Sequence, residues 1–544
     1  MNDRSRIRRL VSRVLIGCCA ASLGLDVAHA QQMQDLGSVI HQIAARPEYK
    51  HSTFGVEVYS LDQDQVVFSL RGNELFTPAS TTKLLTEGSA LELLGADYRF
   101  HTRIYRTGPV SKDGTLRGDL VLVAAGDPNL SSRIQPNDTL AFENEDHSYD
   151  GSPDTRVVPG DPLLVIRELA GQIVQHGIKK IQGNALVDAS LFPEGEREGG
   201  TDVVISPICV NDNLIDLTVS PGAKEGAPAT LHISPQTSYA SFANRITTGA
   251  PTVRATMQTS ADSVNANGFH GVTLTGTVPL GRGQIVFVYR VPEPSRFAEV
   301  TLAEALREDG VAVDFPPVSL KPDFKSLSGK YTPENMVAEH KSAPFSEEVK
   351  VTLKVSQNLH ASMTPFILGA VVGKKTTDVD QGGFDLERDL FTKAGLDLTG
   401  ASQGDGAGGA QSAYFTPDFV VHYLAFMAKQ KDFSTFQNAL PILGRDGTLF
   451  KIQTNSPAAG HVFAKTGTFG SYDALNKKVM LNGKGLAGYT TTLDGRHLAF
   501  AAYINRVSLP LDDPDAAQNV AGQALGEIAA AIYFSAPPSG ASTQ

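Results

Sequence analysis

Three short polar motifs, two of them separated by a very long stretch, constrain this sequence more than any other feature. They are Ser80-Thr81-Thr82-Lys83, Ser356-Gln357-Asn358 and Lys465-Thr466-Gly467-Thr468, and 272 residues (84–355) lie between the first and the second. On a helix, positions i and i+3 share a face, so Lys83 can reach the Ser80 hydroxyl. A serine hydroxyl is a weak nucleophile until a base takes its proton, and a lysine held in a water-poor site among other cations can be that base. Pro78 suits a turn into a helix start, where backbone N–H groups face an incoming anion. In the second motif a hydroxyl can relay a proton to a leaving amine, and an amide side chain can hold a substrate amide. In the third, a cation and a hydroxyl at a strand edge can hold a carboxylate, and the glycine would let substrate backbone approach closely. Each motif alone has a plain structural explanation: an N-cap serine with a solvated lysine, a polar helix turn, a strand ending in a turn. If they act as one site, the chain must bring 80–83, 356–358 and 465–468 together, with the intervening residues set aside as inserted structure.

Composition narrows the class. The 544 residues are 41% hydrophobic and 19% charged, which excludes a disordered chain, a collagen-like chain and a long coiled coil. The net charge is -11, although residues 1–30 carry five Arg, no Lys and only two Asp. The acidic body argues against nucleic acid as a partner. Arg4, Arg6, Arg8, Arg9 and Arg13, the apolar stretch 14–27 and Ala28-His29-Ala30 read as a signal peptide over 1–30, cleaved before Gln31. The apolar stretch is interrupted by Asp26 and falls short of the roughly 20 residues a membrane-spanning helix needs. Leu15-Ile16-Gly17-Cys18 offers a lipoprotein site as the minor alternative. A periplasmic or otherwise exported protein is expected, with no transmembrane anchor in the mature chain. Cys209 is the only cysteine after the signal, so no internal disulfide forms, and it reads as a small core residue.

The patterning predicts a hairpin from Phe54–Ser60 and Val66–Leu70, and a helix from Ser80 to about Leu94. Residues 101–329 then read as one or two β-rich modules, with helices only over Leu163–His176 and Ala298–Arg307. A helix capped by Ser346 follows, then one from Thr416-Pro417 to Lys429. Strands are expected at Val462–Thr468, Gly488–Thr492 and His497–Ile504, and a last helix at Ala516–Phe534 with Val520, Ala524, Ile528 and Ile532 on one face. Residues 536–544 read as a disordered tail.

Ser-x-x-Lys, Ser-x-Asn and Lys-Thr-Gly in this order are the set found in penicillin-binding proteins and class A β-lactamases. With so long an insertion, the chain resembles the class C low-molecular-mass penicillin-binding proteins, the D-alanyl-D-alanine carboxypeptidase/endopeptidase family. Gly126-Asp127-Pro128-Asn129-Leu130, Asn211-Asp212-Asn213, Leu440-Pro441 with Gly447-Thr448-Leu449, and Leu486-Ala487-Gly488-Tyr489 are similar to that family's elements, so the resemblance covers roughly 40–534. It implies an α+β transpeptidase fold of the serine β-lactamase/DD-peptidase kind, an antiparallel sheet flanked by helices plus a helical cluster. That unit would be discontinuous, from 31–100 and 330–535, with a large β-rich insert at 101–329. It implies Ser80 as nucleophile and Lys83 as general base. Ser356 and Lys465 would relay the proton, Asn358 would hold the acyl amide, Lys465, Thr466 and Thr468 would hold the terminal carboxylate, and Gly467 would bind substrate with them. The implied partners are peptidoglycan stem peptides and β-lactams. No cofactor and no metal are implied, and a homo-oligomer stays open.

The sequence departs from the family in three places. Asp405-Gly406-Ala407-Gly408-Gly409-Ala410 lacks the serines usual in that loop. Leu359-His360-Ala361-Ser362 lacks the usual Ala-Glu. Extra residues, including Asn476-Lys477-Lys478 and Asn482-Gly483-Lys484-Gly485, follow Lys465-Thr466-Gly467 and suggest a longer hairpin beside the site. Glu143, Glu145, Asp146, His147 and Asp150 read as a solvated acidic loop in preference to a metal site. A β-lactamase and a non-catalytic peptidoglycan-binding envelope protein are the alternatives. The first would need a deacylating Glu, and none is recognisable. The second leaves the intact motifs unexplained.

Overall fold

The computed structural model describes residues 36–511 and 516–535. The expected signal (1–30) and tail (536–544) lie outside the described residues. The unit that carries the three motifs is built from α1 (Leu36–Ala44), β1 (Thr53–Ser60), β2 (Gln65–Leu70), α2 (Lys83–Leu94), α3 (Phe345–Val355), α4 (Asn358–Ile367), α5 (Pro417–Met427), β3 (Val462–Asp473), β4 (Lys478–Thr491), β5 (His497–Asn505) and α6 (Gln523–Tyr533). Its sheet has the order β3-β4-β5-β1-β2, every neighbour antiparallel, and the short strand Val507–Leu509 adds to the far part of β4.

Alternation along the strands decides what each face covers, because successive strand side chains point to opposite faces. In β5, Leu498, Phe500, Ala502 and Ile504 join Phe54, Val56 and Val58 of β1 in one core with α1 and α6. Ala499, Ala501 and Tyr503 face the other way, into a core shared with α2, α3, α4 and α5. The helices fit their faces in the same manner. Leu36, Ile40 and Ile43 of α1 are buried, as are Ala524, Ile528 and Ile532 of α6. This is the antiparallel sheet with flanking helices and a helical cluster that the family resemblance implies.

Between α2 and α3 the chain builds a separate core. Four strands, in the order Met336–Lys341, His101–Arg106, Leu120–Val123 and Ala185–Asp188, form a mixed sheet. Helices Leu164–Gln175 and Pro294–Glu308 contribute to the same core, as do two three-stranded sheets drawn from 214–290. The strand Met336–Lys341 lies past the expected boundary at 329 and pairs with His101–Arg106, so the chain leaves and re-enters this part through adjacent strands.

Several elements differ from the sequence reading. The turn Ala79–Thr82 is a 3-10 turn ahead of α2. Ser346 does not cap α3: the helix begins one residue earlier behind Pro344, whose fixed φ suits a helix entry and leaves no side-chain cap. Thr416 does cap α5, accepting from the Phe419 N–H at 3.1 Å. The two short strands expected at Val462–Thr468 and Gly488–Thr492 are the roots of one long hairpin, β3 and β4, running to Asp473 and back from Lys478. This is the longer hairpin beside the site that the extra residues after Lys465-Thr466-Gly467 suggest, although the strand bounds read from the sequence stop short of it.

Candidate active site

The Ser80 turn sits under the β3 edge. Gly467 is pressed against it: a Cβ there would meet the Pro78 carbonyl oxygen at 2.3 Å and the Thr81 and Ser80 amide nitrogens at 3.1 and 3.2 Å. The glycine is therefore required by the protein's own nucleophile turn, which corrects the expectation that it makes room for substrate. Ala79, just before Ser80, has φ 47°, and Ser356, which ends α3, has φ 63°. Both are non-glycine residues in the left-handed region, a strain of about 1 kcal/mol or more each. Two of the three motifs are thus held in backbone conformations that the surrounding packing must enforce.

The three motifs converge. Lys83 Nζ donates to Ser80 Oγ at 2.9 Å, to Asn358 Oδ1 at 2.7 Å and to the Ala407 carbonyl at 3.0 Å. Lys465 Nζ donates to Ser356 Oγ at 2.8 Å and to its neighbour's Thr466 carbonyl at 2.9 Å. Thr466 Oγ1 donates to Thr448 Oγ1 at 2.7 Å. Lys484 Nζ, from the opposite strand of the hairpin, donates to Thr468 Oγ1 at 2.6 Å. A cleft of about 460 Å³ is lined by Ser80, Ser356, Asn358, Thr466 and Thr468, together with Tyr149, Thr448 and Lys484.

Burial controls the charges. Lys83 is fully buried, which pushes its ammonium down to about 8 while Glu198, Asp405 and Glu87 resist the shift. Lys465, also fully buried, lies well below its ordinary value, through desolvation and then repulsion from Lys83 and Lys484. At neutral pH an appreciable fraction of Lys83 is free base beside a hydroxyl at hydrogen-bond distance, the arrangement that activates a serine.

The loop that lacks the family's serines acts through its main chain. Ala407 O accepts from Lys83, and Gly406 O accepts from Thr86 Oγ1 at 2.8 Å. Asp405 Oδ1 in turn accepts from the Ala407 and Gly409 N–H groups at 3.0 and 3.2 Å.

The acidic loop at 143–150 is not solvated, contrary to the sequence reading. Asp146 and His147 are buried. Arg133 pairs with Asp146 and, at 2.8 Å, with Asp212. His147 bridges Asp212 at 2.8 Å and Asp216 at 2.7 Å. His360, in the place of the family's usual Glu, lies 3.0 Å from both Asp212 and Glu348. The cation that neutralises this loop is Arg133, from the same inserted segment. Gln357 Nε2 donates into the cluster, to Asp212 at 3.2 Å and Asp146 at 3.3 Å. Tyr149 Oη donates to the Ser356 carbonyl at 2.5 Å and lies 3.1 Å from Asn358 Oδ1. Every residue of Ser356-Gln357-Asn358 is therefore gripped from the insert. Asn144 Oδ1 accepts from the Gly447 N–H at 2.7 Å, tying the loop to the far wall of the cleft.

All eight residues expected at the site lie together here: Ser80, Lys83, Ser356, Asn358, Lys465, Thr466, Gly467 and Thr468. Sequence reasoning missed Tyr149, Gln357 and Asp146 as supports. Lys484 and Thr448 were visible only as members of longer stretches. Cys209 is buried in the core of the motif-bearing unit, as expected of a small core residue.

A sheet of this order with a serine, two lysines and an amide converging at its edge defines an active-site serine enzyme of the penicillin-recognising class. The chain belongs to the D-Ala-D-Ala carboxypeptidase 3 (S13) family, whose sequence pattern matches residues 36–526. It is 27% identical to the D-alanyl-D-alanine carboxypeptidase of Actinomadura sp. (strain R39), over 96% of this chain and 89% of that one. It is 24% identical to the D-alanyl-D-alanine carboxypeptidase DacB of Haemophilus influenzae, over 84% and 86%. The crystal structure of penicillin binding protein 4 (dacB) from H. influenzae superposes with a TM-score of 0.67 at 19% identity, covering 93% of this chain and all of that one. The fold is that of the serine β-lactamase/DD-peptidase group, and the protein is a serine-type carboxypeptidase of the D-Ala-D-Ala class.

Proposed function

We propose that this protein cleaves the terminal D-Ala from peptidoglycan stem peptides through an acyl-enzyme on Ser80. The observation that carries the reading is the 2.9 Å contact between Ser80 Oγ and a buried Lys83 whose ammonium is lowered to about 8. Lys83 takes the hydroxyl proton as the Ser80 Oγ–carbonyl bond forms. The peptide C–N bond then breaks, and the departing amine receives its proton through Ser356, which Lys465 contacts at 2.8 Å. Backbone N–H groups of Ser80 and Thr468 hold the developing oxyanion, where losing one donor costs about 10²–10³ in rate. Asn358 holds the acyl-side amide, and Thr466 and Thr468 hold the terminal carboxylate. Water then releases the shortened peptide and restores Ser80. Cleavage of a cross-link differs only in the leaving group, the amine of a neighbouring stem. β-Lactams acylate the same oxygen, with the ring C–N bond broken. Export by way of residues 1–30 would place the enzyme in the periplasm, beside that substrate. No helix among the described residues is long and apolar enough to cross a membrane.

Labelling with a fluorescent penicillin, read on a denaturing gel beside Ser80→Ala, tests the reading. A covalent label on wild type that is lost in Ser80→Ala is expected. Folded wild type that takes no label would overturn it, and rapid steady turnover of the penicillin would make the enzyme a β-lactamase.

A further inference from the structure

A third buried lysine faces the cleft and belongs to none of the three motifs. Lys484 sits on β4 directly opposite Thr468 of β3 and is 5% exposed. Its ammonium donates to Thr468 Oγ1 at 2.6 Å. Lys83 has Glu198, Asp405 and Glu87 as acidic neighbours. Among the described residues Lys484 has no acidic neighbour that shifts it, and burial alone lowers it, to about 8. A buried cation without an anion is costly, and a chain keeps one where a ligand supplies the counter-charge.

Its position is fixed by what flanks it. A Cβ on Gly483 would meet the Thr77 carbonyl at 2.5 Å, and a Cβ on Gly485 would meet the Tyr503 ring at 2.7 Å and Thr81 Cγ2 at 3.0 Å. The two glycines let β4 lie flush against the turn that carries Ser80. The lysine stem passes Gly522, where a Cβ would stand 3.6 Å from Lys484 Cε. The side chain is thus packed along its length, and its ammonium ends at the hydroxyl of Thr468, on the lining of the cleft.

We infer that Lys484 is a specificity-determining residue that, with Thr468, binds the carboxylate of the residue released from the substrate. This rests on the proposed acyl-enzyme reading and adds to it a second positive charge, beside that of Lys465, whose ammonium is engaged by Ser356 Oγ and the Thr466 carbonyl. The site would then favour leaving groups that carry a carboxylate, a C-terminal D-amino acid or the carboxylate of a penicillin, over neutral ones. Binding would also relieve the mutual repulsion of Lys484 and Lys465.

The test compares two reagents that modify the same oxygen. Benzylpenicillin carries a carboxylate and acylates with loss of its ring C–N bond. Phenylmethanesulfonyl fluoride is neutral and sulfonylates with loss of fluoride. Rates of both on wild type, Lys484→Met and Lys484→Arg are followed by intact-protein mass. In Lys484→Met the ratio of the penicillin rate to the sulfonyl fluoride rate should fall roughly 10- to 100-fold, the cost of a lost charged hydrogen bond. Lys484→Arg should restore most of the ratio. A ratio in Lys484→Met within about threefold of wild type would overturn the assignment, whether both rates hold or both fall together. Wild type that reacts with the sulfonyl fluoride but not with penicillin would instead remove the acyl-enzyme reading on which the inference rests.

Discussion

The nucleophile region around Ser80 and the inserted loop around Asp146 meet at the same cleft but are built by opposite means. Around Ser80 the determinants are local. Four consecutive residues hold nucleophile and base, and one glycine, Gly467, lets a strand edge press onto their turn. Around Asp146 the contacts that reach the site are distant, although Ser148 and Arg133 hold Asp146 from nearby in sequence. Its loop pairs with Asp212, grips Gln357 and reaches Gly447, far apart in sequence. The first region supplies chemistry. The second supplies position, and its buried charges make it sensitive to the loss of any one partner. The family's insertion is therefore part of the active-site wall in this chain, and is not only an appended module.

The comparison breaks if the local region proves dispensable. Lys83→Met should lower the penicillin acylation rate by about 10²–10⁴, the usual contribution of a positioned general base, while the thermal midpoint stays close to that of wild type or rises, since a buried charge has been removed. Acylation at near wild-type rate would transfer the base role to another group, with Lys465 the next candidate. In the distant region the order of effects should reverse. Arg133→Met leaves Asp146 buried without its paired cation and takes from Asp212 one of its three basic partners, the others being His147 and His360; breaking a buried pair in this way costs about 3–5 kcal/mol. Urea unfolding should show it as a large fall in midpoint, whereas a small fall would mean that water or relaxation compensates the carboxylates.

What could be read in the sequence follows the same division. Ser80, Lys83, Ser356, Asn358 and Lys465 were legible because the three motifs occur together in the order that the family resemblance rests on, although each alone has a plain structural explanation. The sheet faces were legible in β5, where Leu498, Phe500, Ala502 and Ile504 alternate with Ala499, Ala501 and Tyr503. The acidic loop was misread because its neutralising residue, Arg133, reaches it only through the tertiary fold. Nothing in the spacing of Glu143 to Asp150 distinguishes a solvated loop from one folded around a guanidinium. Tyr149 was missed for the same reason: its acceptor, the Ser356 carbonyl, is a backbone atom far along the chain. Lys484 lay in plain view among the extra residues that suggest a longer hairpin, but its register opposite Thr468 depends on the strand pairing, which the sequence does not state.

The pH dependence of stability offers a finer test of the distant region. His360 is raised from 6.5 to about 10; burial opposes its charge, but Glu348 and Asp212 outweigh the burial. A raised group of this kind gives stability that is fully present below pH 6.5 and lost as pH climbs toward 10. Glu348 and Asp212 are lowered by the same contacts, so their contribution fades only in acid, below the ordinary carboxylate range. Lys83 and Lys484, lowered to about 8, act in the opposite sense above that pH. The informative quantity is therefore the difference between wild type and His360→Gln. That difference should favour wild type between about pH 5 and 6.5 and shrink steadily up to pH 10. A difference constant over the whole range would mean that His360 titrates alike in the folded and unfolded chain, and one that grew as pH rose through 6.5 would mean that it is held neutral in the folded protein.

The smallest expected effect is the one that best separates position from chemistry. Tyr149→Phe removes a hydroxyl and keeps the ring, which is 38% exposed to the cleft. The Ser356 carbonyl loses its donor, and Asn358 Oδ1 keeps only Lys83 as a close partner. One hydrogen bond of this kind is worth about 1 kcal/mol, so acylation should slow by roughly three- to tenfold. Lys83 and Ser80 are untouched, so the pH at which acylation reaches half its maximum should not move. A rate loss with an unchanged pH profile would identify the insert as a support that holds Ser356 and Asn358 in place. A shift in that profile would mean instead that Tyr149 acts on the proton held by Lys83 through their shared contact, Asn358 Oδ1, and the division between a chemical region and a positioning region would no longer hold.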